Sequence, residues 1–183
     1  MNDDVNQEAN QNYQISVGKV AEFSKFRKRY YSSLKDLWQD FRFILRHRSY
    51  IKVAMGGEEI SKAFQERLMM AVTEVNDCRY CRRFHVHQAF QAGISEVEIQ
   101  TYLSGIIPGD IPAEQKLAVA YAKHWAENDA QPDPESQSRI QEVYGKEGFE
   151  AIEIILHMIR MGNLLGNTGD YILYRLSSGK RGQ

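Results

Sequence analysis

Apolar residues recur at steps of three and four along most of this chain, and nowhere do they alternate with polar ones as a half-buried strand requires. Phe23, Phe26, Tyr30, Leu34, Leu37, Phe41 and Ile44 mark one face of a long helix over 20–48, widened by Trp38 and Leu45. Gly56-Gly57 breaks that pattern. A second helix over 58–75 turns Ile60, Phe64, Leu68, Met69 and Val72 inward, and Asn76 or Asp77 is placed to cap a third, which runs to about 91 before Gly93. Ser95 and Glu98 form a capping-box pattern for a short helix over 96–103. After a turn at 105–109, Pro112 opens a helix carrying Leu117, Ala120, Tyr121, His124 and Trp125 that ends before Asn128. Asp133-Pro134 starts another through 144. Beyond Gly145 and Gly148, residues 149–176 read as a long apolar helix interrupted at Gly162, Gly166 and Gly169. With no repeat at solenoid periods, the pattern predicts an all-α fold.

Charge changes this picture in one place. The chain has 183 residues, 43% of them hydrophobic and 26% charged, with a formal net charge of -1, which is the composition of an ordinary globular protein and not of a polyanion binder. No nucleic-acid partner is expected. Residues 1–18 lack a periodic apolar face and read as a flexible polar lead-in, with no apolar signal core; nowhere do 18 apolar residues run together, so a cytoplasmic location is expected. Residues 19–52 differ: ten Lys or Arg stand against three acidic residues, a local charge of about +7. The favoured reading of this basic extension is a helix whose aromatic stripe packs on the core or a neighbouring subunit; the other is an anionic surface. The predicted organisation is therefore 1–18, a basic amphipathic extension over 19–52, and a helical domain over 53–183.

Chemistry concentrates in "NDCRYCRRFHVH", which holds both cysteines, spaced C-x-x-C. On a helix, Cys81 lies about 60° from Cys78 and His85 about 20° from it on the other side, so the three share a face, whereas His87 lies opposite. A helix start and the flanking Arg79, Arg82 and Arg83 favour thiolate over thiol. A thiolate attacks an oxidant to give a sulfenic acid, which a second thiol condenses to a disulfide; His85 can serve as base or proton relay. Zinc fits less well, because ligands so close on one short helix do not surround an ion tetrahedrally, and no metal is expected. Two buried structural cysteines remain a third reading. A thioredoxin-like motif would follow a strand, and none is predicted.

The stretch "ERLMMAVTEVNDCRYCRRFHVHQAFQAGISEVEI" resembles the AhpD-like, or carboxymuconolactone decarboxylase-like, superfamily: a glutamate, eleven residues, C-x-x-C, three residues and a histidine. "KLAVAYAKHWAEN" and "IRMGNLLGNTGDYILYRL" are similar to the helices that follow, so the likeness covers about 60–176. It implies an AhpD-like all-helical domain with an extra N-terminal helix, assembled as a trimer or hexamer. It also implies Cys81 as peroxidatic thiol, Cys78 as resolving thiol, and Glu66 and His85 as proton relay. Only the family spacing selects Glu66 over Glu74. Tyr80 departs from the histidine often found between the cysteines in the peroxidase pattern, and decarboxylase members generally lack the C-x-x-C pair. His124 and His157, in apolar helices, read as satisfied core histidines.

The resulting expectation is a thiol-dependent peroxidase, antioxidant in effect, that reduces a hydroperoxide without a bound cofactor. Its disulfide would be reduced by a dithiol donor: a peroxiredoxin, a lipoyl protein or a thioredoxin-type protein. The alternatives are a redox-sensing or disulfide-exchange interaction protein, and a non-redox helical oligomer whose basic helix meets a membrane surface.

Overall fold

A computed structural model of the chain describes residues 26–182. Among them are seven α-helices and no strand, as the lack of alternation predicts. They are α1 (Leu34–Arg46), α2 (Ile51–Gly56, after a 3-10 turn over Arg48–Tyr50), α3 (Lys62–Asn76), α4 (Arg79–Gln91), α5 (Glu96–Leu103), α6 (Ala113–Glu127) and α7 (Pro134–Leu176). The backbone divides into two compact units, one over Lys28–Gly169; the described part of the other is 26–27 with 170–182. In the smaller unit the ring of Phe26 meets those of Tyr171 and Tyr174 at 5.4 and 5.5 Å. No described helix is long and apolar enough to cross a membrane.

The first helix is shorter than the pattern predicts. Residues 26–33 are not helical, and Ser33 caps α1 by accepting the Asp36 N–H at 3.2 Å, so a side-chain oxygen takes the place of a preceding turn of helix. The predicted positions 20–25, Phe23 among them, and the lead-in over 1–18 lie outside the described residues. The stripe also divides: Leu37 and Ile44 are half-buried, whereas Leu34, Trp38, Phe41 and Leu45 point outward. Several of the later helices start at residues whose side chains cap them, α3 among them, where Ser61 accepts the Phe64 N–H at 3.3 Å. Ser95 caps α5, but its capping box is half formed, because the Glu98 carboxylate is taken by Arg67 at 2.6 and 3.1 Å, tying α3 to α5. Asp133 accepts the Ser136 N–H at the start of α7, and these contacts lower its carboxyl to about 2. Gly145, with φ 65°, breaks α7 as predicted, and the helix continues through Gly148, Gly162, Gly166 and Gly169.

Helix α3 runs through the core of the larger unit and packs on α4, α5 and α6. Leu68 and Val72 of α3, Val119 and Trp125 of α6, and Ile152, Ile155 and Leu156 of α7 are fully buried. Two acids sit among them. Asp40 of α1 accepts hydrogen bonds from His157 Nδ1 at 2.9 Å, from Arg160 and from the Tyr31 hydroxyl, while the His157 ring stacks on Phe43 at 3.8 Å. Glu153 accepts from the Tyr121 hydroxyl and from Trp125 Nε1 at 3.2 Å.

These acids respond to pH in opposite senses. Burial disfavours the Asp40 carboxylate, but the hydrogen bonds from His157 and Tyr31 and the charge of Arg160 outweigh it and hold the carboxyl below its ordinary range. Its contribution to stability is present above the unfolded value and lost as pH falls through the lower folded one. Burial pushes the Glu153 carboxyl up, so its contribution is present below the unfolded value and lost as pH rises through the folded one. In urea unfolding, Asp40→Ala should lose about 3–5 kcal/mol at neutral pH, because it strands Arg160 and His157. Glu153→Gln should gain on wild type as pH is raised from about 4 to 8; a parallel pH profile for the two proteins would contradict the assignment.

Candidate active site

The turn that carries the cysteines is set by the end of α3. Asn76 is its last residue, Asp77 takes the left-handed conformation (φ 53°), and the N-cap of α4 is Cys78 itself, not Asn76 or Asp77 as the sequence suggested. With Asp77 committed to reversing the chain, the next side chain is the one that reaches the helix start. Cys78 Sγ accepts the Cys81 N–H at 3.3 Å, and the two sulfurs are joined as a disulfide with Cα atoms 5.3 Å apart.

The back of this turn rests on α7. Asn167 Nδ2 donates to the Asn76 carbonyl at 2.6 Å and to the Arg29 carbonyl at 2.8 Å, and Asn163 Nδ2 donates to Thr73 Oγ1 at 3.2 Å. All four side chains at Thr73, Asn76, Asn163 and Asn167 are buried. Between the two asparagines stands Gly166, where an added Cβ would lie 3.2 Å from Cys78 Sγ. The glycine thus allows α7 to approach the sulfur.

Cys78 is fully buried, whereas Cys81 is partly exposed and lines a cavity of about 630 Å³. Met55, Met69, Phe84, Met158 and Ile159 give the cavity an apolar wall; Glu66, His85, Lys62, Gln65 and Gln88 are its polar groups. His85 Nδ1 lies 2.8 Å from Glu66 Oε2, both side chains being nearly buried. A carboxylate only accepts, so Nδ1 carries the proton and Nε2 remains for exchange with a bound molecule. The arrangement brings Glu66, Cys81 and His85 to one cavity and places Cys78 behind.

The other candidates go elsewhere. Glu74 pairs with Arg82 at 3.1 Å, and Arg82 also reaches Asp77 at 3.1 Å, so the cation expected to favour a thiolate is balanced by two acids. Arg79 donates to the Tyr80 hydroxyl at 2.8 Å and lies over its ring, and Tyr80 itself lines the cavity. His87 is exposed beside Gln91. His124 is not a core histidine: it is half-exposed and pairs with Asp133 at 2.8 Å, because its side of α6 meets the loop before α7. His157 is buried and satisfied by Asp40, away from the cysteines. Sequence reasoning missed Asn163, Gly166 and Asn167 as supports; the NLLGN spacing, two amides flanking a glycine on one helical face, is the signal that was there. Among the described residues no three His, Cys, Asp or Glu side chains are grouped to hold a metal ion.

Compared with known proteins, residues 41–124 match the family model described as the carboxymuconolactone decarboxylase family. The span begins within α1, contains Glu66, Cys78, Cys81 and His85, and ends within α6. Neither the curated proteins nor the solved structures compared with the chain include a match.

The glycine contact gives a contrast between two single substitutions. Gly169→Ala meets nothing within 4 Å among the described residues and should stabilise the helix by about 1 kcal/mol. Gly166→Ala brings the same gain in propensity but sets a methyl 3.2 Å from Cys78 Sγ, and overpacking of about 1–3 kcal/mol should leave it no more stable than wild type. Equal increases in melting temperature for the two variants would refute this reading of the glycine.

Proposed function

We propose, from the match of residues 41–124 to the carboxymuconolactone decarboxylase family, which includes AhpD-like proteins, that the chain is a thiol-dependent peroxidase of the AhpD-like kind. The observation that carries the proposal is that Cys81 opens on the same cavity as the Glu66–His85 pair while Cys78 is buried behind it. In the reduced protein, His85 Nε2 takes the Cys81 thiol proton. The thiolate attacks the outer oxygen of a hydroperoxide; the O–O bond breaks, Cys81 becomes a sulfenic acid, and the alkoxide takes a proton from the imidazolium and leaves as an alcohol. Glu66 orients the ring and offsets its positive charge during this exchange. The Cys78 thiol then condenses with the sulfenic acid, releasing water and forming the disulfide.

The cycle closes when an external dithiol, of the peroxiredoxin, lipoyl or thioredoxin type, gives two electrons and two protons to that disulfide. The methionine-rich wall suits the organic part of an alkyl hydroperoxide. Cys78 is buried and only Cys81 opens on the cavity, which supports Cys81 as the attacking sulfur even though Cys78 holds the cap position. One observation favours the disulfide-exchange reading instead: Tyr80 stands between the cysteines, where a histidine would extend the proton relay.

The test is to mix fully reduced protein with less than one equivalent of cumene hydroperoxide and follow thiol loss. Wild type should form the Cys78–Cys81 disulfide, Cys78→Ser should accumulate a trappable sulfenic acid at Cys81, and Cys81→Ser should be inert. Glu66→Gln and His85→Gln should each slow the first step by about 100-fold or more. Thiol loss no faster than in the unfolded chain, with rapid exchange against a small dithiol, would replace peroxide turnover by disulfide exchange.

A further inference from the structure

Helix α1 is amphipathic twice over. Its inner face carries Asp40, which anchors it to α7. Its outer face carries Leu34, Trp38, Phe41 and Leu45, which are 84%, 57%, 41% and 45% exposed. At 100° per residue these four fall within a 60° sector, a continuous apolar ridge about 16 Å long. Beside the ridge, centred about 90° away, lie Lys35, Arg42 and Arg46, all exposed and without an ion-pair partner among the described residues. Exposed Arg48 and Lys52 follow directly after the helix. The acids of α1 do not dilute this charge, because Asp40 is buried and Asp36 projects about 160° from the ridge.

We propose that α1 docks on an anionic lipid surface, lying in the plane of the interface with Leu34, Trp38, Phe41 and Leu45 inserted and the basic row on the headgroups. A short helix with an aromatic and aliphatic ridge beside clustered Lys and Arg has the two attractions that such binding requires. Charge complementarity selects this occupant over a second copy of the chain. Pairing two α1 ridges antiparallel about a two-fold axis would bring the basic rows to the same side with no acid beside the ridge of either helix to offset them, since Asp36 projects the other way. This docking is independent of the thiol chemistry, and its test does not read activity.

The chain has two tryptophans, Trp38 on the ridge and Trp125 fully buried, so a change in emission reports on α1. The full chain is titrated with vesicles of phosphatidylglycerol and phosphatidylcholine, and with vesicles of phosphatidylcholine alone, while fluorescence and co-sedimentation are followed. Binding to the anionic vesicles only, with a blue shift that high salt reverses, is the expected result. Lys35→Glu combined with Arg42→Glu and Arg46→Glu should weaken partition by at least about 100-fold, at roughly fivefold per basic residue removed. Trp38→Gln with Leu45→Gln should also abolish sedimentation, and circular dichroism verifies that both variants are folded. Equal binding to neutral vesicles, or full binding by the charge-reversed chain, would overturn the proposal. So would absence of binding by a wild-type chain whose self-association, measured by analytical ultracentrifugation, is lost in Trp38→Gln; the ridge would then belong to a second copy.

Discussion

The amide contacts between α7 and the end of α3 hold the candidate site in place. A helix ends with carbonyls that have no partner within it, and in the interior such groups must be satisfied by something else. The carbonyl of Asn76 is satisfied by Asn167, and one turn earlier the side-chain hydroxyl of Thr73 is bonded to the Asn163 amide. Because α3 is fixed there, the left-handed Asp77 can reverse the chain within one residue and deliver Cys78 to the start of α4. Glu66 lies farther back on α3 and His85 farther along α4, so the same junction that positions the sulfurs sets the approach of the acid to the imidazole.

Much of this was legible in the sequence, for reasons that differ by element. Helices α5, α6 and α7 announced themselves because their apolar spacing and their start signals agree; Ser95, Pro112 and Asp133 each stand where a helix begins. The start of α1 was not legible, since aromatic residues at helical steps continue upstream of Ser33 and periodicity alone does not reveal where a cap intervenes. The cap of α4 was misplaced by one or two residues, because Asn and Asp are better caps than Cys and their sequence position favours them. What displaced them is the tertiary demand on Asn76, whose carbonyl is held by a residue 91 positions later.

Long sequence separation hid the rest. Asp40 looked like one acid on a basic helix, and its burial by His157 and Arg160 joins residues 117 and 120 positions apart. The choice of Glu66 over Glu74 likewise came from family spacing, not from helical projection. In the structure the two glutamates take different partners, His85 for one and Arg82 for the other.

The bare backbone at Gly166 gives the disulfide unequal surroundings. One sulfur has a helix wall within contact range and no free space behind it, while the other faces the cavity. When two bonded sulfurs separate into thiols they must move apart, and here the displacement falls on Cys81. The oxidised and reduced forms should then differ mainly in the shape of the cavity and little in the packing of the helices, so reduction of this disulfide need not loosen the core.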